Sequence, residues 1–256
     1  MTILSSTSLY TLSISFLIYS SIKTTACSSE CHYALSFKDP VTLDISGETP
    51  GTIMEVEGEE YNGNRIFCTR PEFAEEYRIG DVMDGRELIF GDRLRNDERE
   101  VFTYVQEDGT TYVEVLSIYK GENGVIREID EFLRRFNDSR YRRLIREPVE
   151  LDVTNYDPSS GKIKMEVYSR GRRIYSVRDT LKYLVGVVRY GKRVIDDVTE
   201  GVKFKEVLVD ERRGLTIEVA RFMKNGDLVN LEYKFVGENE GFELVSEECN
   251  LAYEEV

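Results

Sequence analysis

"EPVELDVT", residues 147–154, follows a run of arginines just past the middle of a 256-residue chain, and residues 39–46 read "DPVTLDIS". Four more echoes follow in the same order. "GNRIFC" (63–68) matches "GRRIYS" (171–176), and "YRIGDVMDGRELIF" (77–90) matches "YLVGVVRYGKRVID" (183–196). "TYVEV" (111–115) matches "LTIEV" (215–219), and "GENGVIREIDE" (121–131) matches "GENEGFELVSEE" (237–248). The offset drifts from 108 to 106 to 104 and then jumps to 116. Five blocks in one order mark a tandem duplication of a unit of about 100 residues, an ordinary domain size.

Within each unit the apolar residues recur with a period near two. "REVFTYVQEDGTTYVEVLSIYK" and "KIKMEVYSRGRRIYSV" alternate apolar and polar positions, with turns at Asp108-Gly109, Arg170-Gly171 and Arg213-Gly214. This pattern predicts antiparallel meanders with one packed and one solvated face. Asn225-Gly226, between two alternating stretches, predicts a two-residue hairpin and a longer final hairpin in the second unit. Helix is expected over 127–146, where Ile129, Phe132, Leu133 and Phe136 fall at helical spacing, and more weakly over 246–255. The expected fold class is mainly β (α+β), two antiparallel-sheet units each with a flanking helix. The expected boundaries are a β-rich unit over 39–137, a basic linker over 138–146 and a second β-rich unit over 147–256.

Residues 1–26 carry one charged side chain, Lys23, and an apolar stretch from Leu9 to Ile22. That is too short for a membrane span. With Thr24 and Ala26 placed as at a signal-peptidase site, it reads as a signal peptide, followed by a flexible arm over 27–38. A secreted chain with Cys27, Cys31, Cys68 and Cys249 has candidates for two disulfides, with three pairings open. The net charge of −14 argues against a nucleic-acid partner. The short acidic end "CNLAYEEV" shows no GPI anchor signal.

The duplicated phrase "YRIGDVMDGRELIF" and "YLVGVVRYGKRVID", with "GVIREIDEF" and "GFELVSEE" after the closing strands, resembles the Theileria-type merozoite and piroplasm surface antigens. These are the equi merozoite antigen and major piroplasm surface protein family. The resemblance spans about residues 39–250. It implies a signal peptide, two related β-rich units and a blood-stage parasite antigen, secreted or at the parasite surface or in the host erythrocyte. It departs from the family at the C-terminus, where many members carry an apolar tail. The function so implied is non-enzymatic binding of a host erythrocyte membrane or cytoskeletal component. The alternatives are a β-sheet carrier of an apolar ligand and a secreted carboxylate hydrolase.

No chemistry-bearing constellation stands out, so no catalytic, cofactor or metal residue is assigned. The one histidine, His32, excludes a site needing two. Asp44 and Asp152 recur with the repeat and read as parts of the strands rather than as catalytic acids. The feature that does stand out is basic. "RRFNDSRYRRLIR" (134–146) holds six arginines in thirteen residues. Arg134, Arg135, Arg140, Tyr141, Arg142, Arg143 and Arg146 form a candidate anion- or partner-binding face. The competing reading pairs these arginines with Glu128, Glu131, Asp138 and Glu147 along a helix.

Overall fold

The computed structural model describes residues 38–57, 64–93, 97–121 and 124–251. The expected signal peptide, the arm up to residue 37, Cys27, Cys31 and His32 lie outside the described residues. The protein is mainly β, and its contacts divide it into two compact units between Leu144 and Ile145.

Unit 1 contains β1 (Asp39–Asp44), β2 (Ile53–Glu57), β3 (Arg65–Thr69), β4 (Tyr77–Asp84), β5 (Glu87–Phe90), β6 (Glu98–Val105), β7 (Thr111–Gly121), β8 (Gly124–Arg134) and β9 (Arg142–Arg143). They form a three-stranded sheet, β1-β4-β5, and a six-stranded sheet, β2-β3-β6-β7-β8-β9. Unit 2 contains β10 (Glu147–Asp152), β11 (Ile163–Ser169), β12 (Arg172–Val177), β13 (Tyr183–Tyr190), β14 (Arg193–Asp196), β15 (Val202–Asp210), β16 (Thr216–Met223), β17 (Asp227–Gly237) and β18 (Gly241–Leu251). Its sheets, β10-β13-β14 and β11-β12-β15-β16-β17-β18, repeat the first unit strand for strand.

In each unit the small sheet packs on one face of the large one. Leu43, Ile79 and Val82 meet Phe67, Val101, Val113 and Val115 in unit 1. Leu151, Val185 and Val188 meet Tyr175, Val207, Ile217 and Val219 in unit 2. Each such side chain, fully buried, contributes about 1.5–3 kcal/mol to folding.

The repeated sequence blocks have local causes. β1 runs parallel to β4, and β10 runs parallel to β13. The expected meander is therefore not wholly antiparallel. The chain reaches the parallel neighbour by crossing through two strands of the large sheet, because parallel strands cannot be joined by a tight turn. At the parallel contact a Cβ on Gly80 would sit 2.8 Å from Pro40 Cβ, and one on Gly186 would sit 2.9 Å from Pro148 Cβ. Glycine is thus required opposite each proline. Asp44 Oδ1 accepts from Ser46 N (3.0 Å), Ser46 Oγ (2.9 Å) and Gly85 N (2.9 Å). Asp152 Oδ1 accepts from Thr154 N (3.0 Å), Thr154 Oγ1 (2.7 Å) and Gly191 N (3.0 Å). Each aspartate ties the end of the first strand to the β4–β5 or β13–β14 turn. The turn glycines take positive φ, 61° at Gly85 and 59° at Gly191.

Three expectations are corrected. The flanking helices are not formed: the described residues contain two three-residue 3-10 turns, Pro71–Phe73 and Pro158–Ser160, as their helical elements. Half of the expected 127–146 helix is strand, and the rest is turn and irregular chain. β8 pairs with β7 from Thr111↔Arg134 to Gly121↔Gly124, and eleven residues of cross-strand pairing override local helix propensity. Its period of two was hidden because Asp130 and Glu131, adjacent and on opposite faces, are both buried at 1% exposure. Residues 246–251, expected as helix, belong to β18.

The last repeat block is also misaligned in the sequence. Glu114 pairs with Glu131 across β7 and β8, as Glu218 pairs with Glu232 across β16 and β17. Asn225-Gly226 therefore corresponds to the β7–β8 connection, and the longer final hairpin of unit 2 is the one formed by β17 and β18. Finally, Phe132↔Arg143 matches Tyr233↔Leu244, so the two-residue β9 is the counterpart of the eleven-residue β18. The stretch expected as a linker, 138–146, contains the abbreviated last strand of the first unit.

Candidate functional site

The basic segment divides into engaged and free arginines. Arg134 bonds Asp84 at 2.7 Å and lies 4.7 Å from the centre of the Tyr141 ring. Tyr141 itself donates to Asp84 (2.8 Å), and burial with this carboxylate pushes its phenol well above the usual range. It is a latch between the segment and the small sheet, and its ring face is taken by Arg134. Arg143 pairs with the buried Asp130, and Arg146 donates to Thr180 O at 2.5 Å. Three of the four helical partners proposed for these arginines are otherwise occupied. Glu128 holds Arg93, Glu131 meets Tyr112, and Glu147 holds Lys162. Arg135, Arg140 and Arg142 are exposed and, among the described residues, form no ion pair. Phe136, 75% exposed, stands between them in the chain.

Cys68 and Cys249 are free thiols. Burial, reinforced by Glu100 and Glu98, pushes the Cys68 thiol up to about 11, which keeps it protonated and a poor nucleophile at neutral pH.

Sequence reasoning missed a pair of buried cations. Arg99 and Lys205 occupy equivalent positions next to Val101 and Val207, and both are 0% exposed. Arg99 donates to the carbonyls of Ile79 and Gly80, and its guanidinium lies 4.7 Å from the centre of the Phe90 ring. Burial pushes it down to about 10. Its acid, Asp92, is 3.9 Å away and is held by Arg78. Lys205 donates to the carbonyls of Gly186 and Val198, each at 2.7 Å, and to Asp196 at 2.6 Å. Asp196, 1% exposed side-chain, also binds Arg221. Burial again lowers the Lys205 ammonium, against the pull of Asp196. These cations satisfy the backbone carbonyls beside the glycine that the proline crowds.

The other face of each large sheet, away from the small sheet, carries a second duplicated set. Glu100, Glu114 and Glu131 on β6, β7 and β8 correspond by register to Glu206, Glu218 and Glu232 on β15, β16 and β17. The signal lay in "TYVEV" and "LTIEV", which contain Glu114 and Glu218. The third pair was lost with the misaligned last block.

The two faces differ in what surrounds these carboxylates. In unit 1, Tyr112, Leu116, Ile129 and Glu131 are all at or below 7% exposure. The Tyr112 hydroxyl donates to Glu131 at 2.8 Å and lies 2.6 Å from Glu114. In unit 2 the register places Thr216 where Tyr112 stands, Ala220 for Leu116 and Asn230 for Ile129. The smaller side chains leave a groove of about 590 Å³, floored by Leu208, Ala220 and Asn230 and bordered by Glu206, Glu218, Glu232 and Glu248. Among the described residues none of these four glutamates makes a side-chain hydrogen bond or ion pair. Burial raises the carboxyls of Glu206 and Glu218, with Lys164 and Arg172 opposing it. No group of three or more His, Cys, Asp or Glu among the described residues is placed to hold a metal ion.

Compared with known proteins, the chain matches no family model, no curated protein and no solved structure.

Proposed function

We propose that this protein is a non-enzymatic binding protein, a secreted or surface-associated parasite antigen that engages an anionic component of the host erythrocyte membrane or cytoskeleton. The observation that carries the reading is the cluster of free arginines in a chain of net charge −14. Arg134, Arg143 and Arg146 are used by the fold, whereas Arg135, Arg140 and Arg142 are exposed without a partner among the described residues, with the exposed Phe136 between them in the chain. Exposed guanidinium groups suit phosphate, sulfate or carboxylate groups presented at a surface. The resemblance to the merozoite and piroplasm antigens supports the same reading. So does the duplication of the carboxylates: the convergent pair Glu218 and Glu232 recurs as Glu114 and Glu131, as expected of a property of the repeated unit rather than of a hydrolase site installed in one copy.

The test is charge reversal of the free arginines. A variant carrying Arg135→Glu, Arg140→Glu and Arg142→Glu is expected to lose binding to erythrocyte ghosts in a sedimentation assay. The wild type is expected to bind, and to release with added salt. Equal retention of wild type and variant overturns the reading.

A further inference from the structure

We infer that the outer face of the unit 2 sheet is a docking groove for an extended, lysine- or arginine-bearing segment of a partner protein. The two copies of the fold unit supply the argument between them. In unit 1 the paired carboxylates Glu114 and Glu131 are met by a donor from within the chain, the Tyr112 hydroxyl, whose ring helps fill that face. In unit 2 the equivalent carboxylates Glu218 and Glu232 face each other directly across β16 and β17 with no hydrogen bond to either; Arg172, which lines the same groove, offsets the charge of Glu218 without bonding it. Like charges directly opposite on a sheet are unfavourable unless something answers them. The space the tyrosine occupies in unit 1 is open in unit 2, so the donor is supplied from outside.

Charge and dimensions specify the donor. Glu206, Glu218, Glu232 and Glu248 stand on four adjacent strands, β15 to β18. They fall in two staggered rows: Glu206 and Glu248 end one, with Ala220 and Asn230 between them, and Glu218 and Glu232 stand side by side in the next, two residues along their strands. Neighbouring strands are about 4.8 Å apart, so the acidic patch spans about 14 Å across the strands. An extended chain covers that length in about four or five residues. Its side chains alternate, so cations at every second residue all face the groove. The floor of Ile174, Leu208 and Ala220 accepts the aliphatic stems of such side chains. The exposed Tyr168 stands at the rim. A second copy of this chain is disfavoured as the occupant, because two bodies of charge −14 repel. This groove is independent of the free arginines of unit 1, so either reading can fail alone.

The probe is a fluorescein-labelled hexapeptide alternating arginine and serine, titrated with the full chain and read by fluorescence anisotropy. The wild type is expected to bind. Thr216→Tyr, which places the phenol of unit 1 in the groove, is expected to weaken binding about tenfold or more, as is the double variant Glu218→Gln and Glu232→Gln. Glu107→Gln, in the exposed β6–β7 turn, is expected to leave it unchanged. Circular dichroism checks folding, and the glutamine variants decide if Thr216→Tyr does not fold. Equal affinity across all these proteins overturns the proposal and assigns the binding to general acidity. Displacement of the peptide by spermidine at equal concentration overturns it in favour of a free polyamine. A wild-type dimer that the peptide dissociates, seen by sedimentation velocity, overturns it in favour of self-association.

Discussion

The two units share a strand order, a proline–glycine contact, an aspartate cap, a buried cation and three outer-face glutamates, yet one fills its outer face and the other leaves it open. In unit 1 the face is occupied by Tyr112, Leu116 and Ile129 and the last strand shrinks to Arg142–Arg143. In unit 2 the same positions hold Thr216, Ala220 and Asn230, and the last strand runs from Gly241 to Leu251. Between copies, most side chains that face the small sheet change within apolar types, as with Val113 and Ile217 or Phe67 and Tyr175, and the buried cation stays a cation as Arg99 or Lys205. Apart from the three shared glutamates, side chains that face away change in size and polarity, as with Tyr112 and Thr216 or Ile129 and Asn230. Packing between the sheets constrains the first group, and no second sheet constrains the other.

The sharpest way to break the correspondence is through the buried charges. Asp196→Ala strips the acid from Lys205 and Arg221, leaving a fully buried ammonium without its anion. The expected loss is about 3–5 kcal/mol. Asp92→Ala in unit 1 is expected to cost less, because Asp92 is 20% exposed and Arg99 keeps the carbonyls of Ile79 and Gly80. Urea unfolding followed by circular dichroism measures both. Equal losses would mean that the two cations are held in the same way despite their different acids.

The glycines come next. Gly80→Ala and Gly186→Ala each drive a Cβ to within 3 Å of the proline on the parallel neighbour. Each is expected to cost about 1–3 kcal/mol by overpacking. The two values should agree, since the contact is the most faithfully copied part of the fold. A cost in one unit alone would show that the other relaxes its parallel pair.

The smallest effect is the pH dependence of the aspartate caps. Asp44 lies below the usual carboxylate value of 3.8, held chiefly by the Gly85 amide against burial, with Ser46 adding to it. At Asp152 burial pushes upward but is outweighed by Thr154 and Gly191 together. A carboxylate lowered by folding stabilises the native state fully above 3.8, and that contribution is lost as pH falls below 3.8 through the folded value. Replacing either aspartate with asparagine is expected to cost about 0.5–1 kcal/mol at neutral pH, and to flatten acid unfolding below pH 3.8. Denaturation midpoints at neutral and acid pH measure it.

The duplication and the mainly β class were legible because the parallel contact demands particular residues. Pro40 and Gly80, Asp44 and Gly85 recur as Pro148 and Gly186, Asp152 and Gly191. The helix over 127–146 was misread because β8 buries acids on both of its faces, so neither face reads as apolar. Asp130 is answered by Arg143 and Glu131 by Tyr112, partners 13 and 19 residues away in sequence. No local pattern reports such pairing. The groove was invisible for a related reason: it is made by what Ala220 and Thr216 do not fill, and small side chains on a strand carry no signal until the register sets them beside their larger counterparts. Half of the basic segment was legible as a free surface. The other half was already committed to Asp84, Asp130 and the Thr180 carbonyl.

The brevity of β9 has a consequence for how the chain behaves in company. A sheet that ends in a long bare strand invites a strand from another molecule to add to it. The last strand of the unit 1 sheet is two residues, both arginine and both exposed. Among the described residues it covers β8 only opposite Phe132 and Leu133, so a newcomer would have to add along β8 from Gly124 to Glu131, beside those arginines. The same truncation that frees Arg142 for a ligand thus leaves charge, rather than strand pairing, to keep other molecules off that edge.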